Sequence, residues 1–276
     1  MRALRVLAGR ELRDGLRNRW VLLVTLLLAA LALALAFVGS VPAGQVGAEP
    51  LEVVVVSLAS LSILLLPLIA LLLSFDAVVG EAERGTLLLL LAGPVLRWQV
   101  VLGKFLGHLA ILAVATVLGY GVAALAVTAR SGTPDAAAAG AFATLIGSSV
   151  LLGAAFVALG LLVSVAVRER QTAAGVALGL WLGAAVIYDL ALLGALAADA
   201  GRHMTPALLE ALLLLNPADA FRLLNLTGFA GVQALSGMAG LAGEVSPAVA
   251  WMVGVLLAWT VLPLLAAILV FARREP

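Results

Sequence analysis

The chain has no cysteine, which excludes disulfides, thiolate metal sites and thiol nucleophiles. It is poor in charge: Asp, Glu, Lys and Arg make up 11% of its 276 residues, where a soluble domain carries about 25%. No G-x-x-x-x-G-K-[ST] loop is present. Gly103-Lys104 lacks the upstream glycine and is followed by Phe105, so the chain is not expected to bind ATP itself. H-E-x-x-H and G-x-S-x-G are absent as well, so an intramembrane protease or hydrolase lacks its parts. Soft metal ligands are few. Of His108, His203, Met204, Met238 and Met252, only His108 and Met252 fall inside apolar spans, on different helices. That argues against a Cu(I) channel lined by this chain alone. No long polar linker interrupts the sequence, so a single membrane domain over 1–276 is the default.

What is abundant is apolar length: 64% of the residues are hydrophobic, too many for one soluble core of this size. A helix needs about 20 apolar residues to cross a bilayer. Six stretches qualify: about Val21–Val41, Leu51–Phe75, Val100–Thr128, Ala137–Val167, Thr172–Ala198 and Ala248–Phe271. The fold class is therefore an all-α polytopic membrane protein. Thirteen of the sixteen basic residues fall on one side of these spans, and only Arg130, Arg202 and Arg222 on the other. Under the positive-inside rule both termini are cytoplasmic. Span one, with its long basic flank, reads as a retained anchor rather than a cleaved signal.

Segment 1–20 reads as an interfacial amphipathic helix or as a solvated basic tail. Arg10, Arg13 and Arg17 share one face and Leu12, Leu16 and Trp20 another, but Glu11 spoils the separation by falling near Leu4 and Leu7. Segment 199–247 is the only sizeable extracytoplasmic piece. Thr205-Pro206 and Asn216-Pro217 each read as an N-cap followed by proline at the first helical position, which predicts short helices at about Pro206–Leu215 and Pro217–Leu226. Thr133-Pro134 and Ser246-Pro247 repeat the device before spans four and six. Glycines 228, 231, 237, 240 and 243 follow as a small-residue stretch that either lies in the interface or packs on another subunit.

Several residues stand out chemically. Asp189, after Tyr188, is a carboxylate in span five. It either lines a cavity or pairs across a subunit interface, or else the span ends earlier and leaves it near the outer boundary. Lys104 and His108 share a helix face near the cytoplasmic end of span three, where snorkelling accounts for them. Gly175, Gly179 and Gly183 form one small-residue face and Gly103-x-x-x-Gly107 another; both predict tight helix packing, with a dimer as one outcome. The densest charge between two spans is Glu81-Ala82-Glu83-Arg84-Gly85-Thr86. There the charges are expected to face the cytoplasm and Thr86 to cap the next helix. Leu87–Leu91 is expected to bury against the membrane domain, Pro94 to end that helix, and Arg97-Trp98 to anchor the return at the interface. An element with one polar and one docked face can transmit force.

This arrangement resembles the ABC-2 type permeases. The residues that carry the resemblance are Glu81-x-Glu83-x-Gly85-Thr86, the leucine run, Pro94, Arg97-Trp98 and Gly103-Lys104, with Arg10-Glu11-Leu12-Arg13-Asp14 to Trp20 similar to that family's connecting helix. Arg168 to Gly175, Trp181 to Leu190, and Asn216-Pro217-Ala218-Asp219-Ala220-Phe221-Arg222 resemble the permeases that serve nitrous oxide reductase maturation. The resemblance implies a non-catalytic, multi-pass subunit of the bacterial inner membrane, homodimeric, surrounded by lipid and without nucleic acid. It implies two copies of a cytoplasmic ATPase, which would bring ATP and Mg, and an extracytoplasmic accessory protein; the complex would support assembly of a copper-sulfur centre. On this chain, Glu81, Glu83, Arg84, Gly85 and Thr86 within the 76–99 element would meet the ATPase, and Arg97 and Trp98 would anchor it. Tyr188, Asp189, Gly175, Gly179 and Gly183 would line a cavity or dimer interface, and His203, Met204, Asn216, Asp219 and Arg222 would meet the accessory protein. No residue is expected to be catalytic, to ligate metal or to bind a cofactor. An exporter of lipid, glycan or drug, and an ATP-independent scaffold, are the competing readings.

Overall fold

Long apolar runs in a bilayer must satisfy every backbone polar group internally, and the α-helix does so within one segment. The computed structural model describes residues 7–13, 30, 33–34, 50–131, 136–199, 203–226 and 248–274, and every element among them is helical. After the helical residues 7–13 come α1 (Pro50–Ser74), α2 (Val79–Glu83), α3 (Thr86–Leu91), α4 (Arg97–Ser131), α5 (Ala136–Ala166) and α6 (Arg170–Leu182). A π-helical turn, Gly183–Ile187, leads into α7 (Tyr188–Asp199), followed by α8 (Pro206–Leu215), α9 (Pro217–Leu226) and α10 (Val249–Arg273).

Five stretches are long and apolar enough to cross a membrane: Val54–Glu83, Arg97–Ala129, Ala139–Ala166, Arg170–Asp199 and Val249–Arg273. They correspond to the second through sixth expected spans. The first, about Val21–Val41, lies outside the described residues, as do Thr133-Pro134, Ser246-Pro247 and the glycine stretch 228–243. α5 is the hub and packs against α10, α1 and α4. Leu152, Phe156 and Leu161 on α5 are fully buried with Leu58, Leu66 and Leu71 of α1. The contrast with span five is large: in the most apolar eighteen residues of each, 72% are buried in Ala139–Ala166 but only 17% in Arg170–Asp199.

α8 and α9 begin at the residues the Thr-Pro and Asn-Pro pairs predict. Thr205 Oγ1 accepts from Leu208 N at 3.2 Å with Pro206 at the first helical position. Asn216 Oδ1 accepts from Ala218 N at 3.1 Å. α9 is no surface helix: it packs against α10, α5 and α1, and Ala218, Ala220, Phe221 and Leu223 are buried. The hairpin is thus wedged into the bundle at the end opposite α2 and α3.

Candidate functional site

Two polar constellations sit at opposite ends of this apolar bundle. At the first, here the basic end, α1 turns at Phe75–Val78 into α2. Ser164 of α5 fixes that turn, its Oγ accepting from Val78 N at 2.9 Å and Val79 N at 3.1 Å. A serine hydroxyl from a neighbouring span thus supplies the acceptor that the first N–H groups of a helix lack. Lys104 of α4 is buried, and its Nζ donates to Glu81 Oε1 and to Glu11 Oε1, each at 2.8 Å. Arg170, at the start of α6, pairs with Asp76 at 3.1 Å, and its backbone N–H donates to Glu83 Oε1 at 2.6 Å. The short α2 is therefore tied to three spans, through Ser164, Lys104 and Arg170.

This geometry corrects several expectations. Lys104 does not snorkel; it is the buried cation between two carboxylates. The charges of 81–86 do not all face outward: Glu81 turns in toward Lys104 and its Oε2 is buried without a partner among the described residues, while Glu83, Arg84, Gly85 and Thr86 are exposed. Thr86 does not cap α3. Gly85 occupies the cap position with φ of 71°, a left-handed conformation that favours glycine, and Thr86 Oγ1 donates back to Glu81 O at 3.2 Å. Of Leu87–Leu91 only Leu87 is fully buried, and Leu88 and Leu89 are exposed. α3 ends before Gly93-Pro94 as expected. Arg97 Nη1 donates to Phe271 O, Ala272 O and Arg274 O, so it caps the C-terminus of α10, while Trp98 is exposed.

The residue that spoils the amphipathic pattern of 1–20 also finds its partner here. Glu11 points at Lys104, and a Cβ at Gly107 would collide with the Glu11 side chain, as one at Gly103 would with Leu7. Gly103-x-x-x-Gly107 is thus the seat of helical residues 7–13. Burial pushes Glu11 up, but the Lys104 ammonium outweighs it and holds the carboxyl below its ordinary range.

At the hairpin end, Arg222 of α9 bridges two carboxylates. Nη2 donates to Asp189 Oδ2 at 2.6 Å and Nη1 to Asp219 Oδ1. Asn216 Nδ2 donates to Asp219 Oδ2 and to Ala184 O inside the π-helical turn, both at 2.9 Å. Tyr188 Oη donates to Leu212 O at 2.6 Å. Asp189 therefore pairs within its own chain, and Tyr188, Asp189, Asn216, Asp219 and Arg222 form one cluster. π-Helical turns recur at functional positions, and this one brings Ala184 O within reach of Asn216. Burial and the facing Asp189 raise the Asp219 carboxyl, against the pull of Arg222, to about 7. His203 and Met204 stand apart from this cluster. His203 is exposed, with Nδ1 3.0 Å from Asp199 Oδ1. Among the described residues no group of three or more His, Asp or Glu is arranged to hold a metal.

The second glycine face differs from the first. A Cβ at Gly175, Gly179 or Gly183 would meet nothing within 4 Å, so this face packs on nothing among the described residues. It borders an apolar groove lined by Val176, Leu180, Leu215 and Trp259.

Residues 5–275 match the family described as ABC-2 family transporter protein. The chain is 49% identical over 273 residues to a Pseudomonas aeruginosa protein described as a probable ABC transporter permease protein, NosY, covering 97% of each chain. A Stutzerimonas stutzeri protein of the same description is 46% identical over 271 residues, again with 97% of each covered. Among the described residues five stretches are long and apolar enough to cross a membrane, and with a family match over nearly the whole length this chain is a member of the ABC-2 family of transporter proteins.

Proposed function

We propose that this chain is the permease subunit of an ABC complex of the nitrous oxide reductase maturation type, with α2 and α3 as the element on which a cytoplasmic ATPase acts. The observation that carries the reading is the double nature of α2. Ser164, Lys104 and Arg170 fasten it to three spans, while Glu83, Arg84, Gly85 and Thr86 stand exposed beside it. A push on the exposed part reaches α4, α5 and α6 through those fastenings. With the basic end cytoplasmic, as the distribution of Lys and Arg favours, the hairpin end faces the extracytoplasmic side and any accessory protein there.

The Gly175, Gly179 and Gly183 face, open among the described residues, supports a homodimer, since an exposed small-residue face lets a second helix approach closely. The poverty of soft ligands in the sequence, with no cysteine, two histidines and four methionines, favours conveyed conformational change over copper passage through this chain.

The test is co-purification in mild detergent with ATPase activity measured on the same sample. A stoichiometric ATPase subunit is expected. Arg84→Glu should uncouple it while leaving the permease folded, because the exposed Arg84 side chain takes no part in the ties to Ser164, Lys104 and Arg170. ATPase binding and activity unchanged in that variant would refute the contact. A lone chain in several detergents and in native membranes would favour the scaffold reading.

A further inference from the structure

The basic end also carries a cleft, walled on one side by the coupling element itself. It lies between α3 and the end of α10, with a volume of about 680 Å³, an apolar floor that includes Leu87, Leu91 and Phe271, and a rim of Arg97, Arg168, Arg273 and Arg274. Among the described residues no carboxylate lines it. Two of the four guanidiniums are committed: Arg97 to the carbonyls that end α10, and Arg274 to Val165 O at 2.9 Å. Arg168 and Arg273 are exposed and have no partner among the described residues. The rim is under mutual repulsion: burial, and then the charge of Arg168, push the Arg274 guanidinium below its ordinary range.

An uncompensated basic rim over an apolar floor calls for an amphiphile with a negative head. Guanidinium forks match phosphate oxygens in pairs, and basic pockets between helices at the membrane face take lipid headgroups. The surface beside the cleft is apolar and outward-facing, with Leu88, Leu89 and Leu96 exposed, so acyl chains would have a path away from the headgroup. An acidic protein segment would satisfy the arginines but leave the Leu87–Leu91 floor without an apolar partner.

We propose that this cleft binds the phosphate headgroup of an anionic phospholipid, with Arg168 and Arg273 as its donors and Phe271 and Leu91 under its glycerol backbone. The proposal needs this end of the bundle to lie at the membrane boundary. It does not need an ATPase.

The full chain in mild detergent is titrated with dioleoyl phosphatidylglycerol, tetraoleoyl cardiolipin and dioleoyl phosphatidylcholine. Binding is read by native mass spectrometry and thermal shift. The two anionic lipids should bind and stabilise, and phosphatidylcholine should not. Arg168→Gln with Arg273→Gln should weaken anionic-lipid binding about tenfold with the lipid-free Tm unchanged; Arg168→Lys with Arg273→Lys should retain most of it, and serves as the comparison if the glutamine pair fails to fold. Equal phosphatidylglycerol affinity in the glutamine variant overturns the proposal. So does displacement of the lipid by millimolar inorganic phosphate, which would make this a free-phosphate site. Loss of a co-purifying protein with lipid affinity intact would make it a protein contact instead.

Discussion

The two ends of the bundle use the same ingredients to opposite effect. Each places one cation between two carboxylates: Lys104 between Glu11 and Glu81, and Arg222 between Asp189 and Asp219. At the basic end the cation sits on a long spanning helix and the acids come from two separate short pieces, residues 7–13 and α2. Lys104 is thus a fixed post to which peripheral elements are moored. At the hairpin end Arg222 and Asp219 share α9, three residues apart, and only Asp189 belongs to a spanning helix. That cluster docks one wedge and leaves two carboxylates facing each other. The proton affinities follow: Glu11 is held below its ordinary range by Lys104, and Asp219 is raised to about 7. Burial is the largest push on each acid; at Glu11 the Lys104 ammonium outweighs it, and at Asp219 Arg222 does not.

The sharpest way to break this comparison is to remove the posts. Lys104→Gln leaves Glu11 and Glu81 charged, half-buried and unpaired. Orphaning a buried ion pair costs about 3–5 kcal/mol, so the variant should show a large fall in Tm in detergent. Adding Glu11→Gln and Glu81→Gln should restore most of it, because the stranded charges are then gone. Failure of the triple variant to recover would mean that Lys104 acts by packing and not by charge.

Arg222→Gln should cost less, about 2–3 kcal/mol, because the two carboxylates it abandons can share a proton. Its penalty should also shrink in acid. In the unchanged chain the sign is fixed by Asp219. The unfolded carboxyl releases its proton near its ordinary 3.8, and the folded one only at about 7. Between those values the folded state holds the extra proton, so stability falls as pH rises, at up to roughly 1.4 kcal/mol per pH unit, and levels off above 7. Thermal unfolding from pH 5 to 8 should show this slope, and Asp219→Asn should flatten it. A slope that survives Asp219→Asn belongs to another group.

What could be read from the sequence was local. Proline after Thr205 and after Asn216 marks two helix starts through backbone chemistry confined to a few residues, and the structure starts α8 and α9 there. Spans two to six followed from apolar length. What was not legible was pairing at a distance. Asp189 and Arg222 are both visibly costly in or near a membrane, but nothing in the order of residues says that a hairpin folds back to join them. Ser164 looks like any small polar residue in a span, and only the packing of α5 against the α1–α2 turn makes it a cap. Glu11 appeared as a flaw in an amphipathic pattern because its partner lies on a helix ninety-three positions further on. The one available signal was the flaw itself: an acid on the apolar face of a short helix needs a buried cation.

The two glycine faces carry the smallest expected effects and the finest discrimination, because the sequence writes them identically. Gly103-x-x-x-Gly107 is filled by residues 7–13, and Gly175-x-x-x-Gly179-x-x-x-Gly183 by nothing among the described residues. Gly107→Ala must push Glu11 aside, a shift that overpacking makes worth about 1–3 kcal/mol, and it should loosen the Glu11–Lys104 pair at the same time. Gly179→Ala meets open space among the described residues, so the isolated chain should be unchanged or gain up to about 1 kcal/mol from helix propensity. The bulkier Gly179→Leu extends the test to association: the isolated chain should tolerate it, and a dimer closed over that face should not. Light scattering in detergent, with unfolding measured on the same samples, separates the outcomes. A destabilised but associated Gly107→Ala beside a stable but monomeric Gly179→Leu would assign one face to folding and the other to assembly. If Gly179→Leu also loses stability at concentrations where the unchanged chain is monomeric, the second face is packed by this chain itself and the contrast between the two glycine motifs fails.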